Sequence, residues 1–400
     1  MHSRLPRQAK LFGAVSLLND FASEMIYPLL PAFVTGVLGA GPQTLGALDG
    51  AAEFAAAFVK LGAGRLADRV RRRGPLIVIG YATAVLVRPV IALTGAAWQV
   101  IGLRVVDRLG KGLRTPPRDA LIADVTPVAL RGRAFGLQRG LDHAGAVLGP
   151  LVAWGLLAWG RVALRTVIAA SIVPGVLVLV LAVWAVRDVR PPRTAGNAAD
   201  AQPARSPLAA ATPRTARTAP LIAIACFYLL RMPDTLLIYR SQLLGVPVGL
   251  VPILWATVHV VRSSSSFLGG AGSDRVGPGL TMWAGWVVYA ALALGMAYAG
   301  SATGAWVLFL GMGLVAGLTE SPERALVARL AGEHQGSGFG LYHGATGMAA
   351  LVGGLALGAT FQTYGARAAF LASGAAGVVL SAVWPLAGMH RAPPAPTEMT

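Results

Sequence analysis

Apolar stretches recur along the whole chain, and each is long enough to cross a membrane. A membrane-spanning helix needs about 20 mostly apolar residues. Stretches of that kind cover residues 11–38, 45–66, 75–95, 98–123, 133–158, 162–186, 220–244, 250–273, 279–299, 303–329, 336–360 and 366–386. Only 13% of the residues are charged, about half the fraction in an average soluble domain. The chain is therefore predicted to be an all-α membrane protein with twelve transmembrane helices.

The segment between the sixth and seventh spans is rich in Pro, Ala, Thr and Arg. It contains almost no large apolar residue and cannot bury a core, so it is predicted to be a flexible linker. The predicted domains are an N-terminal six-helix bundle (1–186), a cytoplasmic linker (187–219), a C-terminal six-helix bundle (220–386) and a cytoplasmic tail (387–400).

Short motifs return at a nearly constant distance along the chain. The loop Gly64–Arg73 contains glycine, three residues and then Asp-Arg, and Gly270–Gly277 repeats this pattern 206 positions later. Residues 117–123 (PRDALIA) match residues 322–328 (PERALVA) at an offset of 205. A steady offset over most of the chain predicts two homologous, pseudo-symmetric halves.

These motifs resemble those of the major facilitator superfamily. The doubled loop resembles that family's Gly-x-x-x-Asp-Arg/Lys-x-Gly signature, although Arg71 stands where the family usually has glycine. In helix 4, Arg108-Leu-Gly-Lys-Gly resembles a family motif linked to proton transfer. In helix 5, Gly145, Gly149 and Pro150 resemble a Gly-x-x-x-Gly-Pro signature associated with antiporters. The resemblance implies two parallel six-helix halves and transport by alternating access, driven by an ion gradient.

The formal net charge of +17 comes almost entirely from arginine. These arginines lie mainly in alternate loops, as expected when positive loops stay inside, rather than in a nucleic-acid-binding surface. Both termini are therefore predicted to be cytoplasmic, in a multi-pass protein of the inner membrane. No nucleic-acid partner is expected.

Enzymatic and cofactor chemistry have little support in the sequence. The single cysteine, Cys226, allows neither a disulfide framework nor a thiolate metal site, and is predicted to be a packing residue. No Gly-x-x-x-x-Gly-Lys-Ser/Thr loop is present, which argues against ATP as the energy source. No nucleophile–base arrangement is evident. We expect no cofactor, no metal and no enzyme activity.

Charged side chains inside membrane spans are costly and are candidate functional residues. The predicted cavity and coupling residues are Asp20, Glu24, Tyr27, Glu53, Arg104, Asp107, Arg108, Lys111, Arg231, Asp234 and Arg262. Further candidates are Arg114, Arg118, Asp142, His143, His259, Glu320, Glu323, Arg324 and His343. The charges of helix 4 are predicted to form one stripe along that helix. Asp107 and Lys111 are expected to form an internal pair, and Asp49 is expected to be merely solvated.

Glu24 is the predicted proton carrier, because it lies close to the middle of the first span. It is expected to be neutral while it carries a proton, and to form an ion pair with Arg108 after it has released that proton.

The doubled loop motif predicts a cytoplasmic gate. Its residues are Gly64, Asp68, Arg69, Arg72, Asp119, Asp124, Gly270, Asp274 and Arg275. Asp68 is expected to meet the N-terminus of helix 11, where the helix dipole favours a carboxylate. Asp119 and Asp124 are expected to pair with Arg69 or Arg72, and Asp274 to meet the start of helix 5. Gly145, Gly149 and Pro150 are predicted to form a small-residue seam.

The function predicted from these features is a proton-coupled exporter, or antiporter, of small molecules. Its partners would be a small-molecule substrate, protons and the lipid bilayer, and the protein would act as a monomer. A proton-coupled importer of a small, possibly anionic, solute is an alternative, since helix 4 is so basic. An alternative of another class is a non-transporting receptor or scaffold.

Overall fold

Every regular element in the described part of the chain is helical. The computed structural model describes residues 5–69, 73–127, 130–187, 214–331 and 335–386. The helices are α1 (Arg7–Glu24), α2 (Pro42–Arg69), α3 (Gly74–Val90), α4 (Ala97–Val125), α5 (Arg131–Ala158), α6 (Leu164–Arg187), α7 (Arg214–Leu230 and Asp234–Leu243), α8 (Val251–Arg275), α9 (Pro278–Tyr298), α10 (Ala302–Ala331), α11 (335–364) and α12 (366–386). The predicted all-α fold is confirmed.

Proline and glycine explain where these helices deviate from regular geometry. Beyond α1 the chain stays helical through Tyr27–Leu29, Leu30–Ala32 and Phe33–Val37, with two prolines that remove backbone donors. Helix α7 consists of Arg214–Leu230 and Asp234–Leu243, separated by a segment that contains a proline. Helices α11 and α12 meet at Gly365, whose φ of 84° favours glycine.

Seven helical stretches among the described residues are long and apolar enough to cross a membrane, and one of them contains both α11 and α12. Helices α1, α2, α4 and α8 are not among them. These four carry many of the polar side chains that meet in the centre of the molecule. The fold is therefore a multi-pass membrane bundle whose least apolar helices face inward.

The seam between α1 and α5 depends on two glycines. A Cβ at Gly145 would lie 2.2 Å from the carbonyl oxygen of Leu17, and one at Gly149 would lie 2.3 Å from that of Phe21. Any larger residue would force the helices apart, as in other small-residue helix contacts in membranes. Pro150 lies within α5, immediately after this contact.

The two halves are in close contact at one end of the bundle, which we call the distal end. It contains the connections α1–α2, α7–α8 and α11–α12. There α2 packs on α11, and a Cβ at Gly46 would lie 2.0 Å from the carbonyl oxygen of Gly354. Hydrogen bonds between the halves also lie toward this end, where they join Gln43 to Gln362, Asp49 to Thr235 and Glu24 to Trp255. The opposite end, where α1 begins, is called the proximal end. The described structure is thus closed distally.

Some predicted features fall outside the described residues. Most of the predicted linker lies in residues 188–213, and the predicted tail is residues 387–400. Cys226 is described, and its predicted packing role is wrong, because it is exposed on the surface of α7.

Candidate functional site

A polar cavity of about 400 Å³ lies between the two halves, within the size range of small-molecule sites. The polar and aromatic side chains that line it are Tyr27, Asp49, Glu53, Arg104, Arg108, Lys111, Tyr228, Arg231, Asp234, Arg262, Glu320, Arg324, Tyr342, His343 and Thr346. Eight of the eleven predicted cavity residues are in this set. The other three, Asp20, Glu24 and Asp107, lie outside it.

Asp49 is a central contact between the halves, so the expectation that it is merely solvated is wrong. Its carboxylate accepts hydrogen bonds from the Tyr27 hydroxyl at 3.0 Å and from the Thr235 amide at 3.0 Å. The Thr235 hydroxyl lies 2.8 Å away. The break in α7 creates a new helix N-terminus beside Asp49, and a carboxylate is favoured there. This arrangement closes the distal end of the cavity.

Glu24 forms a second distal contact between the halves. Its carboxylate accepts a hydrogen bond from the indole nitrogen of Trp255 at 2.9 Å and lies 3.9 Å from Nε2 of His259. The expected pairing of Glu24 with Arg108 is absent from the ion pairs of the described residues, because the Glu24 side chain reaches α8 instead. Asp20 has a separate position and accepts a hydrogen bond from Asn19 at 3.0 Å.

Asp107 is a structural residue rather than a cavity residue. It is 1% exposed and lies 3.0 Å from Nε of Arg88 and 3.6 Å from a terminal nitrogen of Arg104. The expected internal pair with Lys111 is therefore wrong, because packing of α3 brings a closer cation. Arg88 is absent from the predicted set, although its charge within an apolar span is a sufficient signal.

The basic stripe of α4 divides between two environments. Arg104, Arg108 and Lys111 line the cavity. Arg114 instead donates to the Gly80 carbonyl at 3.0 Å, and Arg118 lies 2.8 Å from Asp119. Residues three positions apart lie roughly 60° apart around a helix of 3.6 residues per turn, so repeated steps of three carry a stripe around the helix. The prediction of one continuous stripe along α4 is therefore wrong for its proximal part.

The C-terminal half supplies a bridged charge cluster to the cavity. Asp234 lies 3.9 Å from Arg231 and 3.5 Å from Arg262. One carboxylate from α7 thus forms ion pairs with two guanidinium groups, one of them on α8.

Glu323 on α10 is fully buried behind this cavity wall. It accepts hydrogen bonds from the hydroxyl groups of Tyr342 at 2.9 Å and Tyr228 at 3.2 Å. Its other carboxyl oxygen has no hydrogen-bond partner among the described residues. The two tyrosines are not among the predicted site residues. Their only signal in the sequence is their position inside apolar spans.

The predicted gate is only partly described. Asp124 pairs with Arg73, because Arg73 immediately precedes α3 and reaches the end of α4. The surroundings of Gly64, the side chains of Asp68, Arg69 and Asp274, and the whole of Arg72 lie outside the described residues, so the pairing of Asp119 and Asp124 with Arg69 or Arg72 stays a prediction. Arg275 is exposed at the end of α8. The latch around Asp68 therefore stays a prediction.

Comparison with known proteins agrees with this architecture. An uncharacterized MFS-type transporter of Methanocaldococcus jannaschii is 29% identical over 364 residues, which are 88% of each chain. The multidrug resistance protein MdtH of Photorhabdus laumondii is 32% identical over 158 residues, 38% of this chain and 39% of that protein.

Solved transporters share the fold at low identity. The nucleoside transporter NupG matches with a TM-score of 0.75 and 13% identity over 97% of this chain and 100% of its own. A bacterial homolog of the human lysosomal transporter Spinster, in an inward-facing, unoccupied conformation, matches with a TM-score of 0.73 and 17% identity over 98% of this chain and 100% of its own. The sequence profile of the Major Facilitator Superfamily matches residues 12–342. The chain therefore belongs to the Major Facilitator Superfamily of membrane transporters.

Proposed function

We propose that the protein is a monomeric, proton-coupled exporter of small molecules that works by alternating access. The observation that carries this proposal is a polar cavity between two halves that are joined at the distal end. The arginine-rich loops lie at the proximal end, which the positive-inside rule assigns to the cytoplasm. The cavity would then face the cytoplasm of an inner-membrane protein with both termini inside.

Two observations support export coupled to protons. The MdtH relative is named a multidrug resistance protein, which favours efflux. Glu24 contacts His259 at the junction that must separate when the distal end opens. Protonation of Glu24 would weaken its interaction with α8, so a proton entering from outside would help to open that end.

Proton-coupled import is a second candidate. It is favoured by a structural neighbour, a D-xylose–proton symporter, which matches with a TM-score of 0.70 and 15% identity over 94% of this chain. Export and import predict opposite directions of proton movement for the same direction of substrate movement.

The first prediction uses this difference in sign. Everted membrane vesicles with an acidic interior are monitored with a pH-sensitive dye, and a panel of anionic, neutral and cationic compounds is added outside. For an exported compound, protons leave as the compound enters, and dye fluorescence recovers. An imported compound would instead carry protons inward and deepen the quench.

Glu24→Gln should abolish this recovery while substrate exchange without a pH gradient remains measurable. Asp200→Asn is the matched control, because Asp200 belongs to the linker sequence and to neither the predicted cavity nor the predicted gate. Wild-type recovery in Glu24→Gln vesicles would remove Glu24 from the coupling mechanism. A deeper quench with every active compound would overturn the assignment as an exporter.

A further inference from the structure

We propose that the cavity binds a small organic anion through a carboxylate group, and that Arg104, Arg108 and Lys111 of α4 hold this group. This inference rests on the proposed transport function, because it names the class of substrate. It is carried by cations in the cavity wall that outnumber the carboxylates of the lining.

The wall formed by α4 has too little negative charge for its cations. Asp107 is its buried carboxylate, and Arg88 already binds it at 3.0 Å. Arg104 lies farther from it, at 3.6 Å, and is 1% exposed with an Nε atom that has no hydrogen-bond partner among the described residues. A buried charge that is poorly paired is costly. An anionic ligand at this wall would relieve that cost.

Arg108 extends the same wall by one helical turn. Its Nε atom is also buried without a hydrogen-bond partner, and the described part of the chain shows no carboxylate within ion-pair distance of its guanidinium. Lys111 follows in the cavity lining. A guanidinium group can bind a carboxylate through two parallel hydrogen bonds, and a neighbouring ammonium adds a compact charge.

The lining has four carboxylates, Asp49, Glu53, Asp234 and Glu320, which are too few to neutralise its cations. Asp234 is shared by Arg231 and Arg262, and Asp49 is engaged by Tyr27 and Thr235. Across the whole lining there are six cationic side chains and four carboxylates, so the cavity has an excess of two positive charges. Since α4 supplies the poorly paired groups, the anionic end of the ligand should lie against α4.

The remaining lining fits the organic part of such a ligand. Tyr27, Tyr228 and Tyr342 contribute aromatic side chains to the lining, and Met232 and Ala350 add apolar surface. Such a mixture is typical of sites that bind a mostly apolar ligand with a few fixed polar contacts. A cavity of about 400 Å³ accommodates an aromatic acid.

The test measures binding, not transport. Purified full-length protein in detergent is titrated with benzoate, phenylacetate and indole-3-acetate, each beside its primary amide, and thermal unfolding is followed at constant ionic strength. We expect at least one acid to give a saturable rise in Tm and its amide to give none. Arg108→Gln and Lys111→Gln should each weaken the binding of that acid by about tenfold or more.

Two further variants separate a specific contact from a general effect of charge. Arg139→Gln removes the same charge from an α5 side chain that is 56% exposed and should keep wild-type affinity. Arg108→Lys should retain more affinity than Arg108→Gln. Equal binding of acids and amides, equal losses in Arg139→Gln and Arg108→Gln, or no saturable shift with any of the three acids would overturn the proposal.

The result is independent of the vesicle experiment. Acid binding without proton exchange would contradict the assignment as an exporter and would still support the anion site. Proton exchange driven only by neutral or cationic compounds, without acid binding, would overturn the anion site alone.

Discussion

At the level of single residues, packing gives some buried charged groups a close counter-charge and leaves others without one. Asp107 and Arg88 form a matched pair, with both side chains at most 4% exposed. Arg88 also donates to the backbone carbonyl of Asn19 at 3.0 Å. This pair joins α3, α4 and α1 beneath the cavity. It has a structural role, whereas Arg104 and Arg108 beside it line the cavity.

The second prediction concerns this pair. Asp107→Asn leaves the Arg88 guanidinium buried without a counter-charge and should destabilise the protein by about 3–5 kcal/mol. The same substitution at Asp124, whose side chain is 43% exposed, should cost about 0–1 kcal/mol. Thermal unfolding of the purified variants measures both. Equal, small losses in the two variants would show that water reaches Asp107.

At the scale of helices, the close approach of α2 and α11 defines the closed distal end. A Cβ at Gly354 would lie 2.4 Å from the carbonyl oxygen of Gly46, and one at Gly50 would lie 2.9 Å from that of Ala350. These contacts join backbone to backbone, so no rotamer change can accommodate an added methyl group. The closed distal state therefore depends on glycine at these positions.

The third prediction tests this dependence. Gly354→Ala should shift the equilibrium toward a state that is open distally, because two-state populations respond to small free-energy differences. Cys226 is replaced by serine, a cysteine is placed at Ala52 in the cavity lining, and an impermeant maleimide is added from outside. Labelling should rise several-fold.

Gly102→Ala is the control, because a Cβ at Gly102 meets no atom within 4 Å, and its labelling should match that of the background protein. Unchanged labelling in Gly354→Ala would mean that α2 and α11 can separate slightly without opening the cavity.

For the whole molecule, orientation in the membrane decides the direction of transport. The connections assigned to the cytoplasm contain 14 of the 31 arginines, whereas those assigned to the outside contain three, Arg161, Arg165 and Arg367. Since positive loops resist translocation, the proximal end and both termini should be cytoplasmic. The described conformation, which is closed at the distal end, would then be closed to the outside.

The fourth prediction tests this orientation with reporter fusions. Fusions after Arg205 and after Pro394 should report a cytoplasmic location, and a fusion within residues 39–42 should report an external one. A fusion at residue 205 that reports outside would reverse the orientation and, with it, the proposed direction of export.

Properties that repeat along the chain could be predicted without the structure. Apolar length, the offset of about 205 residues between motifs and the basic character of α4 are local or periodic features. They led to the helical membrane fold, the two halves and the family. Most of the cavity residues also followed from one local rule, that charges inside apolar spans are costly.

The partners of these residues could not be predicted, because they lie on other helices. Asp49 meets Thr235 across 186 positions and Glu24 meets Trp255 across 231 positions. Helical spacing relates only residues on one face of the same helix, so it suggested Lys111 for Asp107, whereas Arg88 is closer. How each helix is rotated and which neighbour it faces depend on packing between α3 and α4, or between the two halves. Those contacts decide which charges are neutralised and which remain in the cavity.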